Sequence, residues 1–179
     1  MKKLIKITAI CCFLFVGLAQ AQTKKRTSKK SSNYTSKNNW EAGANLNLFF
    51  VNGGSSTGVN ATIAKFFTNK TQFGLRVGTT FQTGANVIIA GVFGKYFIDN
   101  FYVGGGLEYS RTTFQEINAF FVVIQPEPYN QFTATLDGGY RFPIDKKFAI
   151  DTGASLLIPV SNRDGGVALG LHGGIIYKF

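Results

Sequence analysis

The chain is short of the residue types that most catalytic and metal chemistry needs. Its two cysteines, Cys11 and Cys12, are adjacent and lie within the first 21 residues, and His172 is its single histidine. Without that opening segment no disulfide, zinc or thiol chemistry is available. No cluster of His, Cys or carboxylates suggests a metal site, and no cofactor is expected. A run of about 20 apolar residues, the length a spanning helix requires, occurs nowhere after residue 38. Gly104-Gly105-Gly106 and Gly94-Lys95 lack the spacing and the strand–loop–helix setting of a phosphate loop.

Acidic residues are also few, nine against 19 Lys and Arg, for a formal net charge of +10. The excess is confined to the start of the chain. Residues 1–21 carry +3, and residues 22–38 carry +6 from Lys24, Lys25, Arg26, Lys29, Lys30 and Lys37, which leaves +1 beyond them. A nearly neutral remainder argues against nucleic acid as a partner. Residues 1–21 read as a secretory signal: a basic start at Lys2, Lys3 and Lys6, an apolar core from Ile7 to Leu18, and a small-x-small site at Ala19-Gln20-Ala21. The mature chain is then expected to begin at Gln22. Residues 22–38 are rich in Lys, Ser, Thr and Asn and bury too little to order themselves. They read as a solvated leader or, alternatively, as a cationic arm toward anionic lipid or cell-wall carboxylates.

From residue 39 to 179 the dominant signal is a period of two, the mark of strands with unlike faces. Eight segments carry it: 40–50, 58–67, 71–82, 86–97, 101–112, 131–142, 148–160 and the C-terminal stretch 165–179. One parity is apolar, as in Leu46, Leu48, Val59, Ile63, Leu75, Val77, Val103, Leu107, Ile150, Leu156, Leu169 and Ile175. The other holds Gly, Asn, Thr and Ser with few charges. The Gly/Ser-rich stretch 51–57 reads as a loop. On the apolar parity the only charge expected is Lys65, near a strand end where its stem can carry the ammonium to an interface. Aromatics flank the short turns: Phe67 and Phe73, Tyr96 and Phe101, Phe142 and Phe148, with Trp40 and Tyr177 at the chain ends. This is the pattern of an all-β, eight-stranded antiparallel up-and-down transmembrane β-barrel, apolar outside and polar within, with an interfacial girdle. Strands in lipid must close on themselves, because no backbone group can be left unpaired there. The alternative is a soluble sandwich or lipocalin-type barrel, in which the apolar parity would face a core.

The signal, the strand count, the girdle and the ending on Tyr177 and Phe179 together resemble the small eight-stranded outer-membrane barrels of the OmpA-transmembrane-domain/OmpX-like superfamily, in the branch common among Bacteroidetes. The resemblance implies an outer-membrane location with both termini periplasmic. Its partners would be outer-membrane lipid and the barrel-assembly machinery, the latter through the C-terminal strand with Tyr177 and Phe179 as the assembly signal. Members of that superfamily are variously anchors, adhesins, complement-resistance factors and, in a few cases, lipid-modifying enzymes.

The inward parity holds four acids, Glu41, Glu108, Asp137 and Asp151, and four bases, Arg76, Lys95, Arg141 and Lys178, with His172 among them. Balanced signs suit a mutually neutralised, sealed lumen, whereas a selective pore more often shows an excess of one sign. Glu41 and Lys178 stand near matching ends of the first and last strands and are expected close together. No spacing ties His172 to Ser155, Asp137 or Glu108 as a catalytic set, so the expectation is a non-enzymatic scaffold or surface-binding barrel. A small passive channel is the alternative and a lipid-modifying enzyme the third reading. The longest connection, 113–130, contains Phe120, Phe121, Val122, Val123 and Ile124 and is the candidate external loop for an extracellular or cell-wall partner.

Overall fold

A computed structural model describes residues 39–51, 54–115, 117–119, 122–124, 126–161 and 166–179. The leader 1–21, the basic segment 22–38 and Phe120 and Phe121 of the long connection lie outside the described residues. Ten strands follow one another: β1 (Trp40–Val51), β2 (Gly54–Phe66), β3 (Thr71–Gln82), β4 (Ala85–Ile98), β5 (Phe101–Phe114), β6 (Ile117–Ala119), β7 (Val122–Ile124), β8 (Tyr129–Pro143), β9 (Phe148–Pro159) and β10 (Ala168–Lys178). Eight of them close into one barrel in the order β1-β10-β9-β8-β5-β4-β3-β2, every pairing antiparallel, with β5 and β8 joined through β6 and β7 and the seam closed between β1 and β10. No described helix is long and apolar enough to cross a membrane.

Short turns gather at one end of the barrel with Trp40 and Phe179. In the turn after β2, the Thr68 hydroxyl accepts from the N–H groups of Lys70 and Thr71 at 3.1 and 2.9 Å. The β4–β5 turn places Asp99 in the left-handed region at φ 57°, which a short polar side chain tolerates. In the β8–β9 turn Asp145 accepts from the N–H groups of Phe148 (2.7 Å) and Lys147 (2.6 Å), which holds its carboxyl below the ordinary value. At the opposite, loop end the β3–β4 turn uses Gly84 at φ 75°.

The strands are longer at the loop end than periodicity alone predicts. β2 starts at Gly54, so most of the stretch expected to be a loop, 51–57, is strand, with Val51 registered against Gly54. Ladder hydrogen bonds belong to the backbone, and a ladder already in register extends through Gly and Ser. The same holds where β5 reaches Phe114 and β8 begins at Tyr129. The connection between them contains the small hairpin β6–β7, with Ile117 registered against Ile124. Arg111, on the outward parity of β5, is exposed near the loop end, so Lys65 is not alone as an outward charge.

The two parities decide what kind of barrel this is. Outward Leu46 is 69% exposed, and Val59, Leu75, Ile88, Val103, Leu136 and Ile175 are likewise exposed. Inward Glu41, Arg141 and Asp151 are 1 to 3% exposed. This inverts a water-soluble barrel, and so large an apolar surface has no place in water. Aromatic contacts ring both ends. Phe67–Phe73, Phe101–Tyr140 and Phe148–Tyr177 lie at the turn end, and Tyr109–Phe132 and Phe114–Tyr129 at the loop end.

Inward glycines seat rings. Phe93 lies over Gly74, Tyr102 over Gly139 and the His172 ring over Gly153. A Cβ at Gly139 would stand 2.6 Å from Cζ of Tyr102, whereas one at the adjacent, outward Gly138 would meet nothing closer than 3.9 Å. Gly139→Ala is therefore expected to destabilise the barrel by about 1–3 kcal/mol through overpacking, and Gly138→Ala to leave it nearly unchanged. Urea unfolding midpoints of the two variants check this; equal midpoints would mean that the ring seat is not tight.

Candidate functional site

Among the described residues, the buried charged side chains gather in the lumen. Inward positions of β1, β3, β4, β8 and β9 bring Glu41, Gln72, Lys95, Arg141 and Asp151 into one cluster near the turn end. Arg141 donates through Nη1 to Oε2 of Glu41 at 2.8 Å and through Nη2 to Oδ2 of Asp151 at 3.3 Å. Lys95 Nζ reaches the same Asp151 oxygen at 2.9 Å, and Gln72 Nε2 donates to Oε2 of Glu41 at 2.5 Å. A second cluster sits deeper. Arg76 Nη1 is 2.6 Å from Oε1 of Glu108, and its Nη2 is 3.5 Å from Oδ2 of Asp137. Across the lumen the Tyr102 hydroxyl and Nε2 of His172 share a hydrogen bond of 2.7 Å.

Aromatic faces line the cations. Lys95 Nζ lies 4.0 Å from the Tyr102 ring centroid, the Arg141 guanidinium 4.7 Å from that of Phe97 and the Arg76 guanidinium 5.3 Å from that of Phe93. Such contacts favour a desolvated cation. Phe66, Phe97 and Tyr102 are fully buried and in ring contact with one another, at 5.4 and 5.6 Å between centroids. They form an aromatic plug beside the charge cluster. Farther toward the loop end, Asn45 donates to Asn60 at 3.0 Å. The cavity that threads between these groups has a volume of about 40 Å³, enough for a few water molecules at most.

The barrel is similar to a number of solved structures, among them the following three. The N-terminal β-barrel domain of Pseudomonas aeruginosa OprF matches with TM-score 0.61 and 13% identity, covering 80% of this chain and 98% of that one. The fold is that of the small eight-stranded outer-membrane barrels. Ail, the attachment invasion locus protein of Yersinia pestis, matches with TM-score 0.52 and 15% identity, covering 80% and 99%. Neisserial surface protein A matches with TM-score 0.54 and 12% identity, covering 79% and 96%. No protein-family model and no curated protein sequence matches the chain.

Within this outer-membrane barrel fold, seven of the predicted lumen charges, Glu41, Arg76, Lys95, Glu108, Asp137, Arg141 and Asp151, meet in the two clusters. Lys178 stands opposite Glu41 in register at the β1–β10 seam, as expected. The Glu41 carboxylate also bonds Arg141 on β8, across the lumen. The reason is geometric: a lumen this narrow lets a long guanidinium span it, whereas register fixes only which Cα atoms are side by side. His172 is turned to Tyr102 and not to Ser155, which it would need as a nucleophile partner. Gln72, Phe66, Phe93, Phe97 and Tyr102 were not singled out in the sequence. Each stands on the inward parity, which was the available signal. Tyr177 and Phe179 stack at 6.2 Å between centroids, and Phe179 exchanges backbone hydrogen bonds with Trp40 at 3.0 and 3.3 Å, closing the seam at the turn end.

Proposed function

We propose that this chain is a non-enzymatic integral outer-membrane barrel with a sealed lumen, both termini in the periplasm, serving as a scaffold or surface-binding protein through its loop end. The observation that carries the sealed reading is the set of ion pairs that cross the lumen. Its acids and bases form ion pairs beside an aromatic plug, the cavity lined by Glu41, Arg76 and His172 holds about 40 Å³, and an eight-stranded interior is about wide enough for side chains alone. The apolar exterior between two aromatic girdles supports residence in a bilayer. Surface binding draws support from Ail, named for attachment and invasion, on the same fold. The partner is extracellular or in the cell wall, and the connection 113–130 is the element proposed to meet it.

The test is fractionation followed by planar-bilayer recording. The protein is expected in the outer membrane, and the purified barrel is expected to give no discrete conductance steps. Reproducible single-channel steps whose ion selectivity shifts on Arg76→Glu would sink the sealed reading and promote a channel. Recovery as a soluble periplasmic protein would sink the membrane assignment itself.

A further inference from the structure

We infer that the outer wall of the barrel carries a binding groove for one anionic phospholipid of the adjoining leaflet, with Lys65 receiving the headgroup phosphate. The inference rests on the membrane reading above. The groove follows one row of outward residues, Trp40, Lys65, Phe73, Gly94, Gly105 and Leu136, each registered against the next on β1, β2, β3, β4, β5 and β8. In the middle of that row two glycines stand side by side, so the wall has no side chain there. The Phe73 ring leans over Gly94, while a Cβ at Gly105 would meet the Thr135 carbonyl oxygen at 3.0 Å and the edge of Leu136 at 3.7 Å, with no other side chain over it. The row above, Ile63, Leu75, Val92 and Leu107, forms the apolar wall of a groove of about 650 Å³.

Strand tilt gives the groove its direction. A row perpendicular to strands tilted by roughly 35–45° climbs through the bilayer. Trp40 and Lys65 stand at the turn end, beside the girdle, whereas Gly94 and Gly105 each stand four residues in from that end of their strands and Leu136 seven. The groove thus begins at the interface and runs into the apolar belt, as a lipid does from headgroup to acyl chain. Its interfacial end is cationic. The Lys65 ammonium lies 5.6 Å from the Trp40 ring centroid and 6.0 Å from that of Phe67, and it makes no ion pair among the described residues. No outward carboxylate stands in its register row. An acyl chain fills the gap over the glycines and a phosphate neutralises the ammonium, which a neighbouring protein wall would do only with an acid placed to match.

The full mature barrel, folded in vesicles and extracted into mild detergent, is to be weighed by native mass spectrometry with phosphatidylglycerol or phosphatidylethanolamine as the probe. Wild type is expected to retain one phosphatidylglycerol preferentially. Lys65→Gln should cut that retention about fivefold, the contribution of one lysine beside an anionic surface. Gly105→Leu, which fills the groove, should lower retention of both lipids. Equal retention of the two lipids by wild type, or retention of phosphatidylglycerol unchanged in Lys65→Gln, would overturn the groove. So would a protein dimer, in place of a lipid adduct, that Gly105→Leu dissolves. Insertion into vesicles is scored separately by heat-modifiable migration, so a chain that fails to insert refutes the membrane reading, and one that inserts without selective retention refutes only the groove.

Discussion

Replacing Arg141 with methionine is expected to lower the stability of the folded barrel by about 3–5 kcal/mol, the cost of leaving buried charge without its partner. Arg141 is 3% exposed and holds two carboxylates at once, Glu41 from β1 and Asp151 from β9. It therefore ties β8 both to its neighbour β9 and to β1, which is not its neighbour in the barrel. Lys95 still serves Asp151 in the variant, and Gln72 still donates to Glu41, but Gln72 carries no charge. Glu41 loses its Arg141 ion pair and keeps Gln72 and its seam neighbour Lys178. Adding Glu41→Gln to Arg141→Met removes that charge, so the double variant should regain part of the loss, a coupling that a double-mutant cycle reads directly. Urea unfolding from lipid vesicles is the measurement. An Arg141→Met barrel that unfolds at the wild-type midpoint would mean the lumen network does not hold the fold.

Deleting Phe179 is expected to deplete the assembled barrel. The residue gives Trp40 both of its backbone partners at the turn end of the seam, as an acceptor at 3.3 Å and a donor at 3.0 Å. Its loss leaves two groups open where β1 and β10 must meet, each costing on the order of 1–3 kcal/mol where water does not reach. It also removes the ring that stacks on Tyr177. Phe179→Leu keeps the backbone bonds and loses only the ring, so it should assemble at an intermediate level. Heat-modifiable migration of outer-membrane fractions gives the folded amount, and refolding of the purified chains into vesicles separates seam closure from recognition by the assembly machinery. Wild-type amounts of folded barrel from the deletion variant, in cells and in vesicles alike, would remove Phe179 from both roles.

The sequence by itself determined which way each strand faces. Parity is local, because successive side chains of a strand point to opposite sides. Leu46, Val59, Leu75 and Ile150 therefore announced the exterior, and Glu41, Arg76, Asp137 and Asp151 the lumen, before any pairing was known. It also determined closure, since eight strands with apolar outer faces have no other way to satisfy their backbones in lipid. Strand ends were less legible. Gly54 to Thr57 and Tyr129 carry no apolar alternation, and their ladders persist because the neighbouring backbone is already in register. Only the tertiary structure decided the partners inside. Arg141 bonding Glu41, Lys95 bonding Asp151 and Tyr102 bonding His172 each cross the lumen between residues far apart in sequence. Such pairs depend on barrel stagger and side-chain reach, which strand periodicity does not encode. The same holds for Gly94 beside Gly105. As letters they are two small residues in different strands, and it is the β4–β5 register, set over fourteen residue pairs, that lays them together as a gap in the wall.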